Sequence, residues 1–442
     1  MSTAAAPSRK LFGTDGVRGV AGEQVTAELA LSLTRAATAR VAAVGRHDGP
    51  PRVLVIRDTR ESGEMLEAAV AAGIAAAGGE AMLGGILPTP GAPLLVRRHG
   101  FALAVVLSAS HNPYRDNGIK FFGGDGFKLS DATELEIEQM LEAPPEPVRP
   151  GRVRRFHGAL DGYEAALEAR FGTLDLRGRR LLLDCANGAT YEVAPALFRR
   201  LGADVEVLAA KPDGRNINDG CGSTHIDALA GAVREGGHDA GFAFDGDGDR
   251  VLAVDRHGVV VDGDELIALA AVHLGVPGVA VTVMTNYGFH TGMRAAGIEV
   301  AITPVGDRYV LEELRRRGWT LGGEQSGHVI ECGFVPSGDG IAAALLTLES
   351  LEGGDLADRH AMEKLPQTLV NVRVRDRDAV ERSAEVQQAV ERESEALEGR
   401  GRVLLRPSGT EPLVRVMVEA PTASEAEAVC GRLVELVRTE LA

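Results

Sequence analysis

Three aspartates at alternate positions, Asp245-Gly-Asp-Gly-Asp-Arg250, stand between two apolar strand runs, the first of them Ala240 to Phe244. Carboxylates at i, i+2 and i+4 share one face of an extended segment. The intervening glycines let the backbone bend so that all three reach one point. Like charges this close repel strongly unless a cation lies between them, and all-oxygen ligation suits a hard ion such as Mg²⁺. An EF-hand is the obvious competitor. It fails at position 6, where Arg250 replaces the required glycine, and at position 12, where Arg256 replaces the bidentate glutamate. A solvated acidic loop is the other competitor, and the apolar flanks speak against it. The segment therefore predicts a buried strand-to-strand junction that holds a divalent cation.

The rest of the chain has an α/β rhythm. Short β-branched runs alternate with Ala/Leu-rich helical stretches. Arg52 to Ile56 reads as a buried strand, Glu61 to Ala77 as an amphipathic helix, and Phe101 to Leu107 as a second strand. Ala143 to Gly151 is proline-rich, which marks a boundary. A second unit starts at Arg180 to Asp184 and a third near Val279 to Met284, with a helix over Arg308 to Arg317. From Gln367 the pattern changes to strand, a helix over Ala379 to Glu398, two strands and a last helix, which is a small α+β module. The expected domains are 1–150, 151–258, 259–366 and 367–442.

Composition narrows the function. With aromatics at only 4%, aliphatic side chains must fill the cores. A formal net charge of −16 argues against nucleic-acid binding, which needs a basic face, but not against an anion held by local positive charge. No apolar run is long enough to span a bilayer, and Met1 to Lys10 lacks a secretory core. No membrane partner is expected, and the location is read as cytoplasmic. The four scattered cysteines support neither a zinc ribbon nor a disulfide framework.

Four further segments carry residues that packing alone does not select. Ser108-Ala-Ser-His-Asn-Pro113 follows an apolar strand, where α/β folds bind ligands, so Ser110 reads as a nucleophile or as part of a turn. The G-x-S-x-G elbow of a hydrolase serine is absent. Arg406-Pro-Ser-Gly-Thr-Glu411, with Arg415, has the composition of an anion cradle: two guanidinium groups, the hydroxyls of Ser408 and Thr410, and amides freed by Gly409. Gly322-Gly-Glu-Gln-Ser-Gly-His328 offers Glu324 and Ser326 for adjacent sugar hydroxyls and His328 for a proton. Phe12-Gly-Thr-Asp-Gly-Val-Arg-Gly19 places one fixed charge, Arg18, among glycines.

Together and in this order, these five segments resemble the phosphohexomutases of the α-D-phosphohexomutase superfamily, over nearly the whole chain. Asp116 to Phe122, Asn187 to Thr190, Cys221 to Thr224, Val305 to Val310, Glu324 to His328 and Pro412 to Met417 are most similar to the branch that acts on glucosamine phosphate. The resemblance implies three similar α/β domains with mixed sheets, plus a smaller C-terminal α+β domain, around a central cleft. It implies that Ser110 is phosphorylated, and that Asp245, Asp247 and Asp249 hold one Mg²⁺ with a phosphoserine oxygen of Ser110. It further implies that glucosamine 6-phosphate and glucosamine 1-phosphate interconvert through a 1,6-bisphosphate, on the route to UDP-N-acetylglucosamine. Glu324 and Ser326 then bind the sugar, while Arg406, Ser408, Gly409, Thr410 and Arg415 bind the distal phosphate.

Three carboxylates and a phosphoserine carry about −5 in charge, which one Mg²⁺ reduces to about −3. Arg18, Lys120 and Arg250 are the candidates to offset it. Lys120 or His328, with His111 third, is the candidate base for the sugar hydroxyl proton. Asp307 is either a reader of the 2-ammonium group or an acid at a helix N-terminus. The rivals are a phosphoglucomutase/phosphomannomutase, a phosphatase using the same phosphoserine, and a silent sugar-phosphate sensor. A homodimer is left open.

Overall fold

The computed structural model describes residues 11–13, 15–45, 49–143, 146, 148–377, 379–407 and 412–441. These group into two compact units, one of 1–283 with 301–359, the other of 284–300 with 360–442.

The first unit contains three sheets. In the first, β1 (Val17–Val20), β2 (Arg52–Arg57), β3 (Glu80–Ile86), β4 (Leu103–Leu107), β5 (Asp116–Gly123) and β6 (Arg152–Arg155) lie in the order β1-β5-β4-β2-β3-β6. The centre is parallel, whereas β5 runs antiparallel to β4 and to β1. The run Val53 to Ile56 is buried on both faces, as a central parallel strand must be. The proline-rich stretch precedes β6, which returns to pair with β3, so the first sheet draws a strand from beyond residue 150.

The second sheet, in the order β11-β10-β9-β7-β8, comprises β7 (Arg180–Asp184), β8 (Asp204–Leu208), β9 (Ala240–Phe244), β10 (Val251–Asp255) and β11 (Val260–Val261). Strands β9 and β10 are an antiparallel hairpin, and the aspartate segment is its buried junction. The third sheet, in the order β13-β12-β14-β15, comprises β12 (Gly278–Thr282), β13 (Glu299–Thr303), β14 (Leu321–Gly323) and β15 (Val329–Glu331). All three sheets mix parallel and antiparallel pairs, as the resemblance implied.

The second unit has an antiparallel sheet β16-β18-β17, from β16 (Gln367–Arg373), β17 (Arg402–Pro407) and β18 (Leu413–Glu419). Val372, Val414, Val416 and Val418 form a core with the helices Ala384–Ala396 and Ala423–Leu441. The single helix expected over Ala379 to Glu398 is broken. The Ser383 hydroxyl accepts from the Val386 amide and starts a new helix at Ala384, because a capping serine competes with helix continuation. The helix Tyr287–Ala295, from the middle of the chain, also belongs to this unit. Glu419 is fully buried and accepts from Asn286 Nδ2, the Tyr287 amide and Arg402.

Among the described residues, no helix is long and apolar enough to cross a membrane.

One buried contact in the first unit makes a pH prediction. Asp339 caps the helix Gly340–Ser350, and its two carboxylate oxygens accept the Tyr163 hydroxyl at 2.9 Å. Burial pushes its pKa up to about 7, against the helix amides and the hydroxyl that favour the charged form. The folded state thus keeps a proton that the unfolded chain releases near pH 4. This contribution to stability is full below about pH 4 and is lost as pH rises through about 7, by at most about 1.4 kcal/mol per pH unit. Asp339→Asn retains a capping oxygen and removes the titration. Calorimetric Tm values from pH 4 to 8 should show the variant gaining on the parent as pH rises. Parallel curves would contradict the account.

Candidate active site

Ser110 follows β4 directly, and its backbone is left-handed, with φ at +53°. A non-glycine residue there costs of order 1–3 kcal/mol and needs surroundings that hold it. Ser110 is 1% exposed, and its Oγ donates to Asp245 Oδ2 at 2.5 Å. The phosphoserine candidate and the aspartate loop, 135 residues apart in sequence, therefore meet.

The aspartate loop is a turn rather than the extended segment expected. Gly248 takes φ of +71°, which folds the three carboxylates inward. Gly246 is required for a different reason: a Cβ there would lie 2.6 Å from the Ser110 carbonyl oxygen. One oxygen from each of Asp245, Asp247 and Asp249 falls within 4.8 Å of the others, and all three residues are buried. Asp247 Oδ1 and Asp249 Oδ1 are buried without a hydrogen-bond partner. Burial, then Asp249 and Asp247, drive the Asp245 pKa well above the usual carboxylate range. Two orphaned buried oxygens and a carboxylate made basic by its neighbours fit a divalent cation, and the donor set is all oxygen.

The expected positive charge surrounds this cluster. Lys120 Nζ, on β5, is 1% exposed and lies 2.8 Å from Asp247, 2.9 Å from Asp15 and 3.8 Å from Asp249. Burial opposes its charge, but Asp15, Asp247 and Asp249 outweigh burial and raise its pKa. Arg18 pairs with Asp15, and Arg250 Nε is 3.9 Å from Asp249 Oδ1. His111 Nδ1 lies 3.5 Å from Ser110 Oγ and 3.2 Å from Arg250 Nη1. Burial, then Arg250 and Arg18, lower the His111 pKa.

His328 joins the cluster from the loop between β14 and β15. Its Nδ1 is 3.7 Å from Asp249 and its Nε2 3.6 Å from Asp307. Burial lowers its pKa, but Asp249, then Asp307 and Glu324, more than compensate, and the net direction is up. The Gly338 amide donates to Nε2 at 3.1 Å, so that nitrogen accepts and the ring proton of the neutral form sits on Nδ1. In the same loop Glu324 Oε1 accepts the Gly306 amide at 3.0 Å, and Ser326 is exposed. Asp307 opens the helix Asp307–Arg317, as a helix-end acid should, and also pairs with Lys128 Nζ at 2.6 Å.

Arg406 and Arg415 lie in the second unit. They are direct cross-strand partners on β17 and β18, with Asn371 of β16 next in the row. Like charges directly opposite each other destabilise a sheet. Two guanidinium groups facing one side of a sheet are a ready seat for an oxyanion. Ser408, Gly409 and Thr410 lie outside the described residues.

Several residues that build the site were not read from the sequence. Asp15 bridges Lys120, Lys128 and Arg18. Thr89 donates to Asp247 Oδ2 at 2.6 Å. Asp58, Arg60 and Asn218 hold the Ser110 loop from beneath. The usable signal was Asp58-Thr-Arg60 at the C-terminal end of a buried parallel strand, where ligand-handling residues gather.

Comparison with known proteins agrees with this geometry. Sequence models of the phosphoglucomutase/phosphomannomutase α/β/α domains I, II and III match residues 9–147, 161–258 and 262–369, and the C-terminal domain matches 369–436. The phosphoglucosamine mutase of Deinococcus deserti is 50% identical over 438 residues, covering 97% of this chain and 98% of its own. That of Moorella thermoacetica is 50% identical, covering 96% and 98%. Solved structures share the fold. A phosphoglucomutase/phosphomannomutase family protein of Burkholderia thailandensis superposes with a TM-score of 0.82 at 23% identity, covering 98% of each chain. The Aspergillus fumigatus N-acetylphosphoglucosamine mutase, solved with GlcNAc-6P and magnesium, gives 0.69 at 18% identity, covering 97% and 96%. With four domains matched in order and half its residues shared along nearly its whole length, the chain belongs to the phosphoglucosamine mutase family of phosphohexomutases.

Proposed function

We propose that this chain interconverts glucosamine 6-phosphate and glucosamine 1-phosphate, with the moving phosphoryl group carried on Ser110. The observation that carries the reading is the buried contact of Ser110 Oγ with Asp245, inside a carboxylate cluster suited to a divalent cation. The half-identical relatives supply the substrate class.

In the first half-reaction the P–Oγ bond of phosphoserine 110 breaks and a P–O1 bond forms on glucosamine 6-phosphate. The O1 proton passes to a base, and a 1,6-bisphosphate results. The bisphosphate turns around, its P–O6 bond breaks, Oγ regains the phosphoryl group, and the proton returns to O6. Asp245, Asp247 and Asp249 would hold Mg²⁺, which when bound would supply charge stabilisation to the phosphoryl oxygens. Lys120, Arg18 and Arg250 offset the remaining negative charge. Lys120 and His328, with His111 third, are the candidates for that base: the first two lie against the carboxylate cluster, and His111 Nδ1 lies beside Oγ, the leaving oxygen. Glu324 and Ser326 bind the O3 and O4 hydroxyls. Arg406 and Arg415, with Ser408, Gly409 and Thr410, hold the phosphate that is not reacting.

A side-by-side kcat/KM on the 6-phosphates of glucosamine, glucose and mannose tests the reading. Glucosamine phosphate should lead, with a bisphosphate detectable in single turnover. A lead for glucose or mannose phosphate would move the chain to the rival mutase. Phosphate release without bisphosphate would make it a phosphatase.

A further inference from the structure

Arg60 is fully buried, lies outside the carboxylate cluster and has no part in the scheme above. Burying a guanidinium group is costly unless each N–H finds an acceptor and its charge is matched. Here all five donors are used. Nε bonds Asp58 Oδ2 at 2.8 Å. Nη1 bonds the carbonyls of Pro113 and Asp116, and Nη2 those of Ser110 and Asn112, at 2.8 and 2.9 Å. Three of the five bonds thus go to the loop that carries Ser110, and a fourth goes to the first residue of β5, where that loop ends.

Asp58 extends the grip. Its Oδ2 also accepts the Ser108 hydroxyl at 2.7 Å, and the Ser108 oxygen accepts the Ser110 amide at 2.9 Å. From the second sheet's domain, Asn218 Nδ2 donates to the carbonyls of Ser110 and Asn112 at 3.0 and 3.1 Å. The nucleophile's own N–H and C=O are therefore both pinned, while its φ stays at +53°. Loop carbonyls alone need only water. A buried ion pair dedicated to one loop indicates a conformation that must be held.

We infer that Arg60, paired with Asp58, is a positioning residue that locks the Ser110 loop in its left-handed conformation and so fixes where Oγ meets the phosphoryl group. This inference rests on the assignment of Ser110 as the phosphoryl carrier. Lysine keeps the charge of Arg60 but has three donors and no planar fork, so it cannot satisfy four carbonyls and a carboxylate. A nucleophile displaced by about 1 Å loses about 100-fold in rate.

The test compares Arg60→Lys, Ser108→Ala and Ser110→Ala in the full-length enzyme, with glucosamine 6-phosphate as substrate. Rates are expressed per site that accepts phosphate, counted by intact mass, alongside thermal unfolding. The expected result for Arg60→Lys is a kcat lower by about 100-fold, an unchanged KM and faster hydrogen exchange at the Ser110 amide. A lowered Tm with kcat per site unchanged shows a purely structural role and overturns the inference. Should Arg60→Lys not fold, Ser108→Ala decides. It removes the link between Asp58 and the Ser110 amide and should show a smaller fall in kcat, again at constant KM, whereas an unchanged kcat overturns the inference. Retained turnover in Ser110→Ala sinks the carrier assignment instead, whatever the other two variants do.

Discussion

Ser110→Ala is expected to abolish mutase turnover and the single phosphoryl increment in intact mass. A loss of about 10⁶-fold is the scale on which a covalent nucleophile is missed. The described groups nearest Ser110 offer no substitute acceptor: Asp245 is a carboxylate of the cation site, His111 lies beside Arg250, and the Ser108 hydroxyl is committed to Asp58 beneath the loop. Alanine at φ of +53° keeps the backbone strain while giving up the bond to Asp245. Ser110→Gly is therefore the cleaner companion, because glycine occupies that region without strain. Both variants should bind glucosamine 6-phosphate and neither should turn it over. A near-normal rate in either would remove the phosphoserine from the mechanism.

The second large effect concerns the carboxylates. Asp247→Asn and Asp249→Asn should each weaken divalent-cation binding by about 100-fold or more, since losing even an outer partner of a ligand costs about 10–100-fold. Stability in chelator should fall as well. His328, Lys120 and Arg250 hold the Asp249 carboxylate in its charged form, and Asp247 is the buried ion-pair partner of Lys120. Each variant leaves buried positive charge without its partner and should melt below the parent. On adding Mg²⁺ the parent should gain about 2.7 kcal/mol at 100 times its dissociation constant, and the variants little. Melting curves with and without metal read both effects without an activity assay. An equal metal-induced shift in parent and variants would show that the cation binds elsewhere.

The sequence made the reacting groups visible because their chemistry is local. Asp-Gly-Asp-Gly-Asp between apolar strands announces a buried cation site before any fold is known, and a serine just past a strand announces a candidate nucleophile. The glycines announced a bend, but not that Gly248 takes it, since either glycine of the repeat can adopt positive φ. Nor was the support beneath Ser110. Arg60 finds the Ser110 carbonyl across 50 residues and Asn218 across 108, and neither spacing leaves a periodic trace. The alternation of strand and helix gave the sheets, but pairing partners such as β6 with β3 are set by tertiary packing that local propensity does not encode. The break at Ser383 lay within reach: a serine two residues before a glutamate, in an otherwise unbroken run, is a candidate cap.

The helix Tyr287–Ala295 has a consequence for how such proteins can be cut and recombined. Glu419 carries a carboxylate with no exposure, and two of its partners, Asn286 and Tyr287, enter from the middle of the chain. A fragment starting at residue 360 would strip that carboxylate of its Asn286 and Tyr287 donors and leave it to Arg402 and the charge of Lys364. The last eighty or so residues are therefore not a self-sufficient cassette. Any shuffling of C-terminal modules among relatives has to carry the Asn286–Tyr287 corner along, or supply a neutral residue at 419.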